Sequence, residues 1–224
     1  MKVSAICNAG IYLEENGYGL LIDGIERGGG PFLPLADSLF LDMKCRSNLF
    51  SSLCALAFTH NHSDHFDRIM VKELSYLNRD DIFCPWELHA GLQKHFGPFT
   101  VEAKEISHLP FDGTISHNYS LFISAESGKT VFIAGDSVID SDSFLDLISG
   151  RPITVAFINH MLLCNPKGKA FLAAAKPDRI CLYHLSVDPQ GGIMKRAKSL
   201  YDSNKECYPC LLFADSYPMT ILSE

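Results

Sequence analysis

Between residues 59 and 65 the chain reads Thr59-His60-Asn61-His62-Ser63-Asp64-His65, three imidazoles and a carboxylate in close succession. In an extended segment alternate side chains share a face, so His60, His62 and Asp64 point the same way, and His65 swings round as a helix begins. Neutral imidazoles and carboxylates are ligands that Zn²⁺, Mn²⁺ and Fe²⁺ accept, and their crowding here needs little chain closure to assemble a site. A solvated, His-rich loop is the competing reading. It sits poorly with the apolar run 54–58 that leads straight into the cluster, and with the further His and Asp residues that end later strand-like runs.

The elements that must position these groups follow from periodicity and turn residues. Short strands are predicted over 2–7, 10–14 and 17–23, the last two joined by a turn at Glu15-Asn16-Gly17. A helix is predicted over 37–50, then a buried strand at 54–58, then a helix over 66–77 with Asp64 placed to cap it. Further strands are predicted at 82–84, 100–107, 119–124, 129–134, 154–158, 180–183 and 211–214. Helices are predicted over 85–95, 141–148, 167–175 and 192–202, the second capped by an aspartate or serine and the third opening near Pro166. Strands mixed with helices in both halves imply two sheets packed face to face with helices outside, as one domain over 1–224.

Composition narrows the class. Of 224 residues, 47% are hydrophobic and 20% charged, which suits a globular fold, and no apolar run approaches the roughly 20 residues of a membrane span. No secretory signal is legible at the start, so a cytoplasmic location is expected, with no membrane partner. The formal charge of −7, without a local basic strip, argues against a nucleic-acid partner. The eight cysteines are scattered and read as reduced thiols; Cys207-Tyr208-Pro209-Cys210 has redox or zinc spacing but lacks a second such pair. The run Gly24 to Gly30 lacks GxGxxG spacing and reads as a flexible loop at the mouth of the site, either closing over substrate or simply connecting. Neither a GxSxG elbow nor a GKS run is present, which removes serine hydrolase and nucleotide triphosphatase readings.

The segment 59–65 resembles the HxHxDH motif of the metallo-beta-lactamase superfamily. The likeness extends to Gly19-Leu20-Leu21-Ile22-Asp23 before the motif, to Phe132-Ile133-Ala134-Gly135-Asp136-Ser137, and to Ile180-Cys181-Leu182-Tyr183-His184. It implies an α/β fold, an αββα four-layer sandwich of two mixed sheets. It further implies two divalent ions, zinc first with Mn or Fe as alternatives: His60 and His62 on one, Asp64, His65 and His184 on the other, Asp136 bridging. The third ligand of the first ion is either His117, the marginal preference, or His108. His160 follows a strand at a place from which it could orient a substrate anion, although a satisfied, partly buried histidine is the commoner fate. His89 and His95 are expected on the 85–95 helix as solvent-facing or packing residues.

The activity implied is that of a metallo-hydrolase in which a metal-bridging hydroxide attacks an ester, lactone or phosphodiester of a small metabolite, with Asp64 and Asp136 as the catalytic carboxylates. The likeness is to small bacterial hydrolases, including those similar to sugar-lactone hydrolases. Two alternatives stand beside it: a metal-binding regulatory or sensory protein without turnover, and a non-haem iron oxidoreductase. Pro31-Phe32-Leu33 is apolar and fits a cover over the site or a contact with a second copy, which leaves a homo-oligomer open.

Overall fold

Asn16 and Gly17 both take positive φ, 52° and 76°, the requirement of a tight hairpin turn, and they join β2 (Ile11–Glu15) to β3 (Tyr18–Ile22). The computed structural model describes residues 1–87, 91–109, 117–185, 188 and 191–223. The remaining strands are β1 (Lys2–Ala5), β4 (Leu53–Ala57), β5 (Ile82–Phe83), β6 (Gln93–Phe96), β7 (Phe99–Glu105), β8 (Tyr119–Ala125), β9 (Thr130–Ile133), β10 (Val155–Ile158), β11 (Arg179–Leu182), β12 (Leu211–Phe213) and β13 (Met219–Ser223). The helices are α1 (Asp37–Cys45), α2 (Arg68–Glu73), α3 (Ser141–Ile148), α4 (Pro166–Ala175) and α5 (Gly192–Asn204).

The strands form two mixed sheets, ordered β13-β1-β2-β3-β4-β5 and β12-β11-β10-β9-β8-β7-β6. Apolar residues alternate between two buried faces, as strands covered on both sides require. Leu13, Leu20 and Ile22 meet Val101, Ile123 and Phe157 between the sheets. Tyr12, Leu21 and Leu56 turn outward to Met43 of α1 and Val71 of α2. On the other side Phe132 of β9 holds Phe144 of α3 at 5.3 Å and Phe171 of α4 at 5.0 Å between ring centroids. Truncating such a ring costs about 3–5 kcal/mol, so this cluster fixes the helix layer to the sheet. The result is the expected four-layer sandwich.

Several elements differ from the sequence expectation. None of the described residues of the 85–95 span is helical: β6 runs through His95, paired with β7 in antiparallel register, and His95 is exposed against Thr100, while His89 lies outside the described residues. The helix expected over 37–50 ends at Cys45, where Arg46 turns left-handed, and only a 3-10 turn (Asn48–Phe50) follows. The helix expected over 66–77 shortens to α2, and its cap is Asp67, not Asp64: Asp67 accepts the N–H groups of Ile69 and Met70, both at 2.8 Å. Phe66 bridges Ile25 in parallel pairing, which delays the helix and leaves Asp64 free of it. Strand β13 was not foreseen. The eight cysteines carry no disulfide, Cys207 and Cys210 included. Among the described residues no helix is long and apolar enough to cross a membrane.

Candidate metal centre

Strands β3, β4, β9, β10 and β11 end at one edge of the sandwich, the edge where open α/β sheets place their sites. Strand β7 is antiparallel to β8 and β8 to β9, so β7 also runs out at this edge. Asp23 follows β3, Thr59 and His60 follow β4, Asp136 follows β9, Asn159 and His160 follow β10, and His184 follows β11.

Four of the rings can be assigned from their partners. Asp23 is buried and uses both oxygens: Oδ1 accepts the Thr59 N–H at 2.8 Å, and Oδ2 accepts the Thr59 hydroxyl at 2.6 Å and lies 3.0 Å from His65 Nδ1. The His65 Nδ1 therefore carries hydrogen and its Nε2 presents a lone pair. Having donated its hydrogen to Asp23, Thr59 Oγ1 accepts from His60 Nδ1 at 3.0 Å, and His60 Nε2 is left as a buried lone pair without a hydrogen-bond partner. His184 Nδ1 donates to Asn8 Oδ1 at 2.7 Å, an orientation fixed by Asn8 Nδ2 donating to the Asp64 carbonyl at 3.1 Å. His108 Nδ1 donates to the Leu109 carbonyl, and its Nε2 is again buried and unpartnered. Four histidines thus aim Nε2 lone pairs into one space.

The ligand atoms fall into three overlapping groups, His60 with His62 and His108, His60 with His65 and Asp136, and Asp64 with His65 and His184, each within 4.8 Å. His65 Nε2 and His184 Nε2 stand 3.1 Å apart, two lone pairs facing each other with Asp136 Oδ2 at 3.3 Å and Asp64 Oδ2 at 3.5 Å from His184 Nε2. That arrangement demands positive charge. Burial would raise the Asp136 carboxyl, but His184 and His65 beside it outweigh burial and hold it well below the usual carboxylate range. Burial opposes a second proton on His65, yet Asp136 and Asp23 raise its affinity for one well above the ordinary imidazole range, and a divalent cation at Nε2 would take that proton's place. His60, by contrast, is kept neutral by burial and by its imidazole neighbours. Orphaned buried nitrogens, carboxylates and fixed tautomers together fit divalent cations of the zinc, manganese or iron type.

Two further residues are separated by this geometry. His108 lies with His60 and His62, ring centroids 4.9 and 4.6 Å away, and 3.7 Å from Asp136 Oδ2 through its Nε2. His117, preferred on sequence, is elsewhere: its side chain is 70% exposed and pairs with Glu105 on the surface. The reason is local pairing. Residues 107–109 leave β7 and pair with 136–138, through Leu109 N–H to the Asp136 carbonyl at 2.7 Å and Val138 N–H to the Ser107 carbonyl at 2.8 Å. Asn118 turns inward, where its Oδ1 accepts the Asp136 N–H at 3.1 Å, so its neighbour His117 faces out. His160 sits in a 3-10 turn (His160–Leu163) on the wall of the site but joins none of the three groups.

Asp23 and Thr59 stood in the motif segments without an assigned role, and Asn8 and Asn118 were not singled out; a polar residue flanking an apolar strand was the available signal. The Gly28 loop lies at the mouth of the site, as expected, and is hydrogen-bonded to the histidine segment. Ser63 Oγ donates to the Gly28 carbonyl at 3.0 Å, Arg27 N–H donates to the Ser63 carbonyl at 2.9 Å, and Gly29 and Phe32 exchange backbone hydrogen bonds. The loop is thereby laced to the histidine segment and sets Phe32 against His184, ring centroids 4.1 Å apart. A cavity of about 730 Å³ opens over the cluster, the size of a small-molecule site.

No protein-family profile matches the sequence, and no curated protein matches it. Solved structures do. A "possible metal-dependent hydrolase" from Veillonella parvula is similar at TM-score 0.67 with 16% identity, covering 98% of both chains. The metallo-beta-lactamase fold protein YhfI from Bacillus subtilis is similar at TM-score 0.62 with 15% identity, over 97% of this chain and 96% of that one. CmlA, a diiron beta-hydroxylase from Streptomyces venezuelae, is similar at TM-score 0.60 with 14% identity, over 95% of this chain and 52% of that one. The chain has the metallo-beta-lactamase fold.

Proposed function

We infer that the protein is a metal-dependent hydrolase of small molecules carrying an ester, lactone or phosphodiester bond. One observation carries this reading: four histidine Nε2 lone pairs, each fixed by an acceptor on its Nδ1, converge with Asp64 and Asp136 at the floor of a cavity. His60, His62 and His108 would hold one divalent cation, Asp64, His65 and His184 a second, and Asp136 would lie between them. Zinc suits this donor set first, with manganese and iron next.

When bound, such cations supply Lewis-acid polarisation of the substrate oxygen and a nucleophile drawn from water near neutral pH. The chain's own groups do the rest. Asp64 faces the cavity, and its carboxylate can hold the proton released in the attack and return it to the leaving oxygen. Asp23 and Asn8 keep the His65 and His184 rings from turning. Phe32 covers one face of His184 and excludes water there.

A second reading, non-haem iron oxidation, is favoured by the same donors, since imidazole and carboxylate hold iron equally well and CmlA shares the fold. The experiment is to load the chelator-stripped protein with Zn²⁺, Mn²⁺ or Fe²⁺ and assay aryl esters, lactones, thioesters and phosphodiesters. Turnover that chelator abolishes and a divalent cation restores is expected. Failure on every bond class with every metal contradicts the hydrolase reading, and dioxygen consumption by the iron form alone would support the second.

A further inference from the structure

The cavity wall away from the metal ligands has its own chemistry. It is lined by Pro31, Phe32, Leu109, Met161 and Ile193, and one formally charged cation, Arg196, stands among the described lining residues. Arg196 lies in the second turn of α5, is exposed, and has no ion pair among the described residues; its Nη2 approaches only the exposed thiol of Cys164, at 3.8 Å. In a chain of net charge −7, a guanidinium with no ion pair among the described residues and bordering an apolar cavity is placed to take an anion.

His160 lines the same cavity. Burial, then Arg196, then His184 hold this imidazole down to about 4, so it is neutral at physiological pH and can donate one N–H without adding charge. His160, His184 and Arg196 all line the same cavity. The first turn of α5 also lines the cavity through Gly192 and Ile193, with no side chain capping that end.

We propose that Arg196, assisted by His160, anchors a carboxylate on the substrate, and that an apolar spacer lying along Phe32, Met161 and Ile193 sets this carboxylate apart from the bond to be cleaved. One guanidinium and one neutral N–H balance a monoanion, and the planar fork of Arg matches a carboxylate. The substrate class is therefore an acid ester, thioester or lactone with a second, free carboxylate. The position of the cleaved bond rests on the hydrolase reading; the anchor is a property of the cavity wall.

The test compares p-nitrophenyl monoglutarate, which carries the free carboxylate, with p-nitrophenyl pentanoate, which replaces it with a methyl group. The metal-loaded wild type, Arg196→Gln and Arg196→Lys are assayed alongside calorimetric binding of 4-phenylbutyrate and 4-phenylbutanamide. The wild type is expected to favour the charged ester at least tenfold in kcat/KM, chiefly through KM, and the acid over the amide by a similar factor in Kd. Arg196→Gln should bring both preferences below threefold, and Arg196→Lys should retain part of them. A wild type without preference overturns the anchor. So does a preference that survives Arg196→Gln, which would place the carboxylate on the metals. If neither ester turns over, the hydrolase reading fails for these bonds while the binding pair still decides the anchor.

Discussion

Asp23 and His65, forty-two residues apart in the chain, meet inside the protein with Oδ2 and Nδ1 separated by 3.0 Å, and both side chains are wholly buried. The contact fixes the His65 tautomer and aims its Nε2 at the cluster. Asp23→Asn keeps the volume but loses the charge and presents an amide N–H₂ toward donors. Metal affinity, read by competition with a chelator of known strength, should fall by about 10–100-fold, the usual cost of losing such an outer partner. Unchanged affinity would mean that Asp23 has only a structural role.

Gly135 holds φ at 60°, and a Cβ there would come within 2.8 Å of Asn118 Oδ1 and 3.2 Å of the Tyr119 carbonyl. It adjoins Asp136, so a side chain would both strain the backbone and displace the Asn118 contact that sets this carboxylate. Gly135→Ala should destabilise by about 1–3 kcal/mol and weaken metal binding. Gly150 offers a control, with φ of 70° but open space around it, and Gly150→Ala should leave metal binding intact. Thermal melts and metal titrations of the two variants check this; equal metal affinity in both would contradict it.

Glu26 is buried, its Oε2 accepts the Gly28 N–H, and burial pushes its carboxyl up from 4.5 to about 7. An acid raised on folding opposes the folded state once ionised. The penalty is absent below 4.5, grows as pH rises toward about 7 and is complete above it, at about 3 kcal/mol. Glu26→Gln should therefore gain stability relative to wild type at pH 8 but not at pH 4, measured by urea unfolding with chelator present. An equal difference at both pH values would show that Glu26 does not titrate in this window.

The parts of the site readable in sequence were those encoded locally. His60 to His65 are contiguous, and Asp136 and His184 end apolar runs that could only be inner strands, so their convergence follows from strands sharing a carboxyl edge. The third histidine was not local. His108 and His117 flank the same connection between β7 and β8, and the choice rests on residues 107–109 pairing with 136–138, which no periodicity announces. Residues 93–96, which form β6, fall at the end of the helix expected over 85–95. The pairing of β6 with β7 overrode that local preference. Arg196 was invisible for a related reason: on α5 it is one of several exposed basic residues, and only the folded wall of the cavity distinguishes it.

The central claim is that His60, His62 and His108 hold one divalent cation beside a second held by Asp64, His65 and His184. It is tested most directly by elemental analysis of the gel-filtered protein after loading and removal of free metal. The account predicts about two equivalents per chain in the wild type and in His117→Ala, and about one in His108→Ala. Full metal content in His108→Ala with a loss in His117→Ala would contradict it.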